Sequence, residues 1–446
     1  MRKSRGKPRA TSGARGKRRT GAPRGRTSGH GRPPSIEDLA DVIVRGGAEL
    51  LDVDDPLEAE AWASAMLGQF YKIDAPWEAR DELERTLWPT VVGRAEAAHD
   101  ASSLAVLEAL GAVADEDVAR AARGAAGRLR AAGIPSRGWA GELGKVAFED
   151  AWMLADVYGD HEAYVATFRY PGRPSHVVNA LYDKAMGEII KDGFVGYTKG
   201  DLRRDVPTEP GVATTDADPK RMARRIIDAI ASGDLYLDND WTPEFKRYRA
   251  LILARMQSLP APRMREARPP GSRERQRLIR EFLASDHIAS GGDAPDADLI
   301  ASHCLDYSCD YLGDDGLRWS PIVVEQFMLD YLPRKVSMSL AEVRQVPTVL
   351  RGWVRFALAR RGLEERWIAE TQSAVDANAK AFRSGMTNVD EFGLAKRLGA
   401  SMLADGVAPL DQASVDRWIE DFNARPLAER DALLGRPRRP GDGPGV

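Results

Sequence analysis

Beyond Met1, the first 34 residues contain no aliphatic side chain larger than Ala. Such a segment cannot bury enough apolar area to offset its ordering entropy, so residues 1–34 are predicted to be disordered. The pattern changes at Ser35. Ser35 and Asp38 make a capping-box-like start, and Leu39, Val42, Ile43 and Leu50 follow at helical spacing. Asp55-Pro56 is a second start, with Asp as N-cap and Pro at the first helical position. Trp62, Ala65, Met66, Gln69 and Phe70 give that helix a face. Further helices are predicted over 76–98, 101–111 and 114–132, and Gly133 followed by Pro135 ends the last. Residues 35–140 therefore read as a helical array, without a fixed-period motif that would certify a named repeat.

Residues 141–200 change character. Short apolar runs at 151–154, 164–168 and 177–182 are separated by Gly159-Asp160 and by the turn Pro171-Gly172-Arg173-Pro174. They predict a small antiparallel meander, with a further strand near 188–190 where helical propensity competes. Helices resume over 201–258. There Asp218-Pro219 and Thr242-Pro243 are starts, Met222, Ile226 and Ile230 share a face, and Gly233 is a stop. Residues 259–272 carry Pro260, Pro262, Pro269, Pro270 and Gly271 and read as the interior linker. Residues 273–430 read as a second helical domain, with starts at Ser320-Pro321 and Pro347 and a stop at Pro333. Residues 431–446 form a second disordered tail. The predicted fold class is mostly α with one small antiparallel β-meander.

Composition sharpens this division. The chain has 446 residues, 64 Lys and Arg, and 67 Asp and Glu, a net charge of −3. Residues 1–34 hold 12 of the basic side chains and no carboxylate, so the remaining chain carries −15. The length suggests about three domains at roughly 150 residues each. No apolar run approaches the roughly 18 residues that cross a bilayer, and no apolar stretch follows the basic start as a secretory signal requires. The expectation is a cytoplasmic protein without membrane partners. Two cysteines, Cys304 and Cys309, make no disulfide framework.

The basic tail is the most legible functional feature. Arg5-Gly6-Lys7-Pro8 and Pro23-Arg24-Gly25-Arg26 each resemble part of an AT-hook, in which Gly enters the minor groove and flanking cations sit in its negative potential. Neither copy is complete. Generic counterion-releasing contact through Arg5, Lys7, Arg24 and Arg26 is the broader expectation, against a solubilising tail as the plain alternative. In the meander, Asp160, His161, His176, Asp183, Lys191 and Asp192 make a loose polar cluster. His176, Asp183, Lys191 and Asp192 are the candidate catalytic residues, with His176 expected near the 160–162 turn. The plain alternative is a set of solvated turn charges.

Other patterns compete with ordinary structure. Asp238-Asn239-Asp240-Trp241-Thr242 resembles the nucleophile motif of haloacid-dehalogenase-like phosphotransferases, but a helix precedes it where that motif needs a strand. Cys304 and Cys309, five apart on a helix, lie about 140° apart around its axis and do not converge on a metal with His303. His161-Glu162 lacks the second His of a zincin. Arg351 and Arg355 share a helix face that Arg360 and Arg361 close. With the helix from Ser320 they faintly resemble the core-binding domain of tyrosine recombinases, without its catalytic half. The plain alternative is an amphipathic helix with arginines in water. The chain lacks a Walker A loop, Gly-x-Gly-x-x-Gly, Gly-x-Ser-x-Gly and His-Glu-x-x-His. No cofactor and no metal site is predicted.

One resemblance covers about half the chain. It rests on 139–194, with Trp139 after an Ala-rich helix pair, Asp156-Val157-Tyr158-Gly159-Asp160, and Asp183 to Asp192. It rests also on Arg318-Trp319-Ser320-Pro321 through Trp353-Val354-Arg355-Phe356. These stretches resemble actinobacterial proteins of helical-plus-meander build. The resemblance implies an intracellular bacterial protein and attaches no function, cofactor or site. The favoured expectation is a non-enzymatic interaction or scaffold protein whose acidic body holds a protein partner and whose tail contacts nucleic acid or another polyanion. The alternatives are an enzyme with its site at the meander and a DNA-engaging helical domain in the C-terminal half.

Overall fold

The structure is a computed structural model. It describes residues 35–430 apart from 70, 72–76, 199, 201, 206–208, 236–240, 264–267, 290–293, 409–410 and 427–429. The two tails, with Arg5, Lys7, Arg24 and Arg26, lie outside the described residues, as do Phe70, the Asp238–Asp240 motif and part of the 259–272 linker. The described chain is mostly helical with one five-stranded antiparallel sheet, which is the expected fold class.

The first half begins with α1 (Ile36–Gly46), α2 (Pro56–Gln69), α3 (Trp77–Ala98), α4 (Ala101–Val113) and α5 (Glu116–Ala131). The capping box that starts α1 is complete: Asp38 N donates to Ser35 Oγ at 3.2 Å and Ser35 N to Asp38 Oδ2 at 2.9 Å. Helix α4 is buried nearly all round, from Ser103 to Gly111, and so forms the centre of the array. Helix α5 docks through Ala119, Ala122, Ala125, Ala126 and Leu129, small side chains that permit a close approach.

The sheet follows as β1 (Ala147–Asp156), β2 (His161–Arg169), β3 (Ser175–Asp183), β4 (Ile189–Tyr197) and β5 (Val212–Asp216), in the order β4-β3-β2-β1-β5. The predicted meander supplies the first four strands. Strand β5 was not signalled, because its Thr-rich run lies on an exposed edge and lacks an apolar face. Tyr164, Ala166, Phe168, Val178, Ala180, Tyr182 and Val195 point to one side. There they join the helical core together with residues of α6 (Pro219–Asp234) and α7 (Pro243–Gln257). The other side holds a small cluster of Trp152, Val165 and Val177 under Leu202.

Helix α2 packs its large apolar residues against the core, but buries another face more deeply. Trp62, Ala65 and Met66 are only partly buried, whereas Glu60, Ala63, Ser64 and Gly68 are inside. The cause is α7. Ser64 Oγ donates to Arg247 O at 2.8 Å and accepts from Leu251 N at 3.1 Å. One turn on, Gly68 lies directly against the backbone of Lys246.

The second half contains α8 (Ser272–Leu283), α9 (Asp286–Ala289) and α10 (Ala297–Leu305), which runs on into a π-helical segment, Asp306–Tyr311. Then come α11 (Pro321–Gln326), a second π-helical segment Phe327–Tyr331, α12 (Leu332–Lys335), α13 (Leu340–Arg360), α14 (Glu365–Gly385), α15 (Leu394–Ala404) and α16 (Gln412–Ala424). Tyr307, Tyr311, Phe327 and Tyr331 stack between the two π-helical segments, with Tyr307 and Tyr331 ring centroids 4.9 Å apart. This half has its own core, centred on Trp319, Phe327, Leu350, Trp353 and Phe382.

Two proline expectations are corrected here. Pro347 does not start a helix. Ser339 does, through a capping box with Glu342, and Pro347 lies inside α13. Pro333 does not stop its helix at once: it sits in the first turn of α12, after the wide π-helical turn, and the helix ends at Lys335.

The α2–α7 contact yields a paired prediction. Gly68→Ala drives a methyl into the Lys246 backbone and is expected to lower stability by about 1–3 kcal/mol. In α5, a Cβ added to Gly127 meets nothing within 4 Å. Gly127→Ala is therefore expected to raise stability by roughly 0.5–1 kcal/mol. Denaturant melts of both variants measure the two signs.

Candidate functional site

One end of the sheet gathers the C-terminal ends of β1 and β3 and the N-terminal ends of β2, β4 and β5. The β1–β2 turn is built by Asp156. Its Oδ1 accepts from the amides of Tyr158 at 2.8 Å, Gly159 at 2.7 Å and Asp160 at 3.2 Å, and its Oδ2 accepts from His161 N at 2.6 Å. The turn needs φ +77° at Gly159, which a residue without Cβ adopts freely.

Register then places His161 opposite Asp183. The imidazole lies between two carboxylates, with Nδ1 3.3 Å from Asp156 Oδ2 and Nε2 3.3 Å from Asp183 Oδ2. Lys191 adds a second cation, its Nζ 3.6 Å from Asp183 Oδ2. A bulge positions it: Leu181 faces Asp192 and Tyr182 faces Ile190, so Lys191 is the extra residue. Hydrogen bonds with Asp156 and then Asp183 push the His161 pKa up to about 10. Burial alone would raise both carboxyls, but hydrogen bonds led by those from His161 outweigh it and hold Asp156 and Asp183 below the usual carboxylate range.

A deeper layer lies beside this one. Arg318, from the loop before α11, reaches Asp160 through Nη1 and Asp314 through Nε. Lys184 Nζ is 3.2 Å from Asp314 Oδ2, and Lys184 N donates to Asp160 O at 2.7 Å. Arg318 and Asp160 are each only 3% exposed at the side chain. Burial opposes the Arg318 charge, yet the carboxylates of Asp314 and Asp160 keep its pKa raised. The ensemble sets Asp156, Asp160, Asp183 and Asp314 against His161, Lys184, Lys191 and Arg318, so the charges balance.

The sequence-predicted cluster is thus divided. Asp160, His161, Asp183 and Lys191 do come together. His176 does not: it pairs in register with Phe168 at the other end of β3, about 23 Å from Asp183 along the strand. There it is fully buried, stacked on Tyr170 with ring centroids 5.3 Å apart, and its Nε2 accepts from Arg255 Nε at 3.0 Å. Arg255 Nη2 in turn donates to Glu60 Oε2 at 2.6 Å, and Tyr170 OH donates to the same oxygen at 2.6 Å. Burial, then the Arg255 charge, drive the His176 pKa down to about 3, so the ring is neutral. Asp192 is also separate. It accepts from the hydroxyl of Thr242, which caps α7 by accepting from Phe245 N at 3.1 Å.

The remaining candidates have internal partners. Arg351 pairs with Asp376, Arg355 with both oxygens of Glu365 at 2.7 and 2.8 Å, and Arg360 with Glu281. Cys304 and Cys309 are buried thiols whose pKa burial raises. His161 and Glu162 begin a strand, not a zincin helix. Among the described residues, no three His, Cys, Asp or Glu side chains converge as metal ligands, and no helix is long and apolar enough to cross a membrane. An open cleft of about 400 Å³ lies on the outer face of the sheet, lined by Asp150, Trp152, Thr167, Ser175, Thr198 and Arg203 among others. It contains none of the charged groups of the cluster.

Two opposite pH effects follow. His161 is expected to titrate near 10, not at its ordinary 6.5. Its folded pKa exceeds the unfolded one, so its stabilisation is complete below about pH 6.5 and is lost as pH rises towards 10. His176 is neutral when folded, and the unfolded ring takes up a proton first. Its contribution is therefore present above about pH 6.5 and is lost as pH falls towards 3. NMR titration of the two rings checks both, and a His161 midpoint near 6.5 would contradict the geometry. Compared with known protein families, curated proteins and solved structures, the chain matches none.

Proposed function

We propose that the protein is a cytoplasmic, non-catalytic interaction scaffold whose basic N-terminal segment contacts nucleic acid while its acidic body holds a protein partner. The observation that carries this reading is the charge division: 12 Lys and Arg without a carboxylate in residues 1–34, against −15 in the rest. Closely spaced cations release counterions from a polyanion, whereas a net negative body is repelled by one. Two further observations support it. The titratable groups at the sheet end are engaged with each other, and the arginines of α13 with carboxylates on α8 and α14. The two buried free thiols fit a reducing compartment.

An enzyme reading draws on the outer cleft, which sits on the meander. It is the weaker reading, because the cluster of Asp156, His161, Asp183 and Lys191 lies at the other end of the sheet from the cleft, and His176, at the cleft's end, is buried against Tyr170 and Arg255. A DNA-engaging α13 is weaker still, since Arg351, Arg355 and Arg360 would have to leave their carboxylates.

The test is a DNA titration over salt with the full chain and with a full-length variant in which Arg5, Lys7, Arg24 and Arg26 are Gln. With about six phosphate contacts, wild-type affinity should fall roughly a thousandfold between about 50 and 200 mM salt. The variant should bind more weakly with a shallower slope. Equal affinity and equal slope would sink the proposal.

A further inference from the structure

The two hydrophobic cores meet across a seam that is unlike either of them. Its contacts come from one end of the sheet: the β1–β2 turn, the β3–β4 turn and the approach to β5. Tyr158 OH lies 2.8 Å from Glu370 Oε2 and 3.1 Å from Trp367 O, and Arg361 Nη1 donates to Tyr158 O at 2.8 Å. Gly211 sits against the Trp367 ring, where an added Cβ would be 2.7 Å from it. Gln326 Nε2 approaches Met186 Sδ at 3.3 Å. At the centre is Arg318 between Asp160 and Asp314, with Lys184 behind. The apolar contribution is small: Ala185 enters the second core, and Tyr158 packs at its edge.

This composition matters energetically. Each half has its own core, so neither needs the other to bury its apolar surface. Polar interfaces between such units permit relative motion by default. The central ion pairs close the seam only weakly, because Coulomb attraction in a buried pair is largely offset by the hydration the ions give up, whereas removing one partner leaves an uncompensated buried charge that disfavours the closed state. Arg318 Nη2 is also buried without a hydrogen-bond partner among the described residues. Opening the seam would return that nitrogen and both carboxylates to water. Among the described elements, those of the first core end with α7 and those of the second begin with α8, and the sequence between them carries Pro260, Pro262, Pro269 and Pro270.

We infer that the protein is two bodies held by an ionic latch, Asp160–Arg318–Asp314–Lys184, that opens while both cores stay folded. The inference is independent of the proposed contact with nucleic acid. The latch fixes orientation, since the guanidinium fork meets both carboxylates in one arrangement of the two turns.

The test uses the full chain with Arg318→Ala, which strands Asp160 at the seam. Small-angle scattering should give a larger radius of gyration than wild type. Far-UV dichroism should be unchanged, and calorimetry should resolve two unfolding transitions. An unchanged radius with intact dichroism overturns the latch. If Arg318→Ala loses its helicity, the double variant Tyr158→Ala, Asp160→Ala decides. It alters only the β1–β2 turn and leaves Arg318 paired with Asp314. A folded, expanded double variant upholds the inference, and a compact or unfolded one overturns it.

Discussion

A guanidinium removed from water must keep its charge and find carboxylates, and Arg318 sets that constraint on everything around it. Asp160 and Asp314 answer it directly, and their own burial then calls for Lys184. Asp160 can be there only because Asp156 folds the β1–β2 turn with its carboxylate, which places His161 between Asp156 and Asp183. Charge balance at the sheet end is a consequence of one buried cation propagated through two turns. Such an arrangement is a weak source of stability and a strong source of geometry.

The sheet has a second buried arginine at its opposite end. Arg255 ties α7 to α2 through Glu60, and to β2 and β3 through Tyr170 and His176. The chemistry is alike and the mechanical role differs. Arg255 joins elements that share one hydrophobic core, and it is itself buried among them. Arg318 joins elements of different cores. A buried arginine is therefore cooperative with folding at one end of the sheet and separable from it at the other.

The sequence made the elements legible where a local signal decided them. Ser35, Asp55, Asp218, Thr242 and Ser320 all start helices, because a cap acts within four residues. Signals that depend on distant residues misled. The deepest face of α2 is set by α7: Trp62 and Met66 pack against the core while only partly buried, and nothing local in the sequence marks Glu60, Ser64 and Gly68 as interior. His176 looked like an acid–base candidate because the strand register was unknown. Its neighbours Phe168 and Tyr170 at the same strand ends were the available hint of a buried stack. Arg318, Asp314 and Lys184 were missed as a cluster, since more than 120 residues separate Lys184 from its partners.

The charge division now has a structural counterpart. Many cations of the folded chain are spent internally: Arg255 and Arg318 in the interior, Arg351, Arg355 and Arg360 between helices. A cation paired to a carboxylate presents little field to a distant polyanion, and the −15 of the body remains as the field seen from afar. Residues 1–34 have no carboxylate within reach along the chain until Glu37, so their charge is not cancelled locally. A polyanion approaching the protein would therefore meet attraction at one place and repulsion elsewhere. Under the proposed reading contact would then fall on residues 1–34, while the seam between the two cores, whose charges are already paired with one another, would offer a polyanion little attraction.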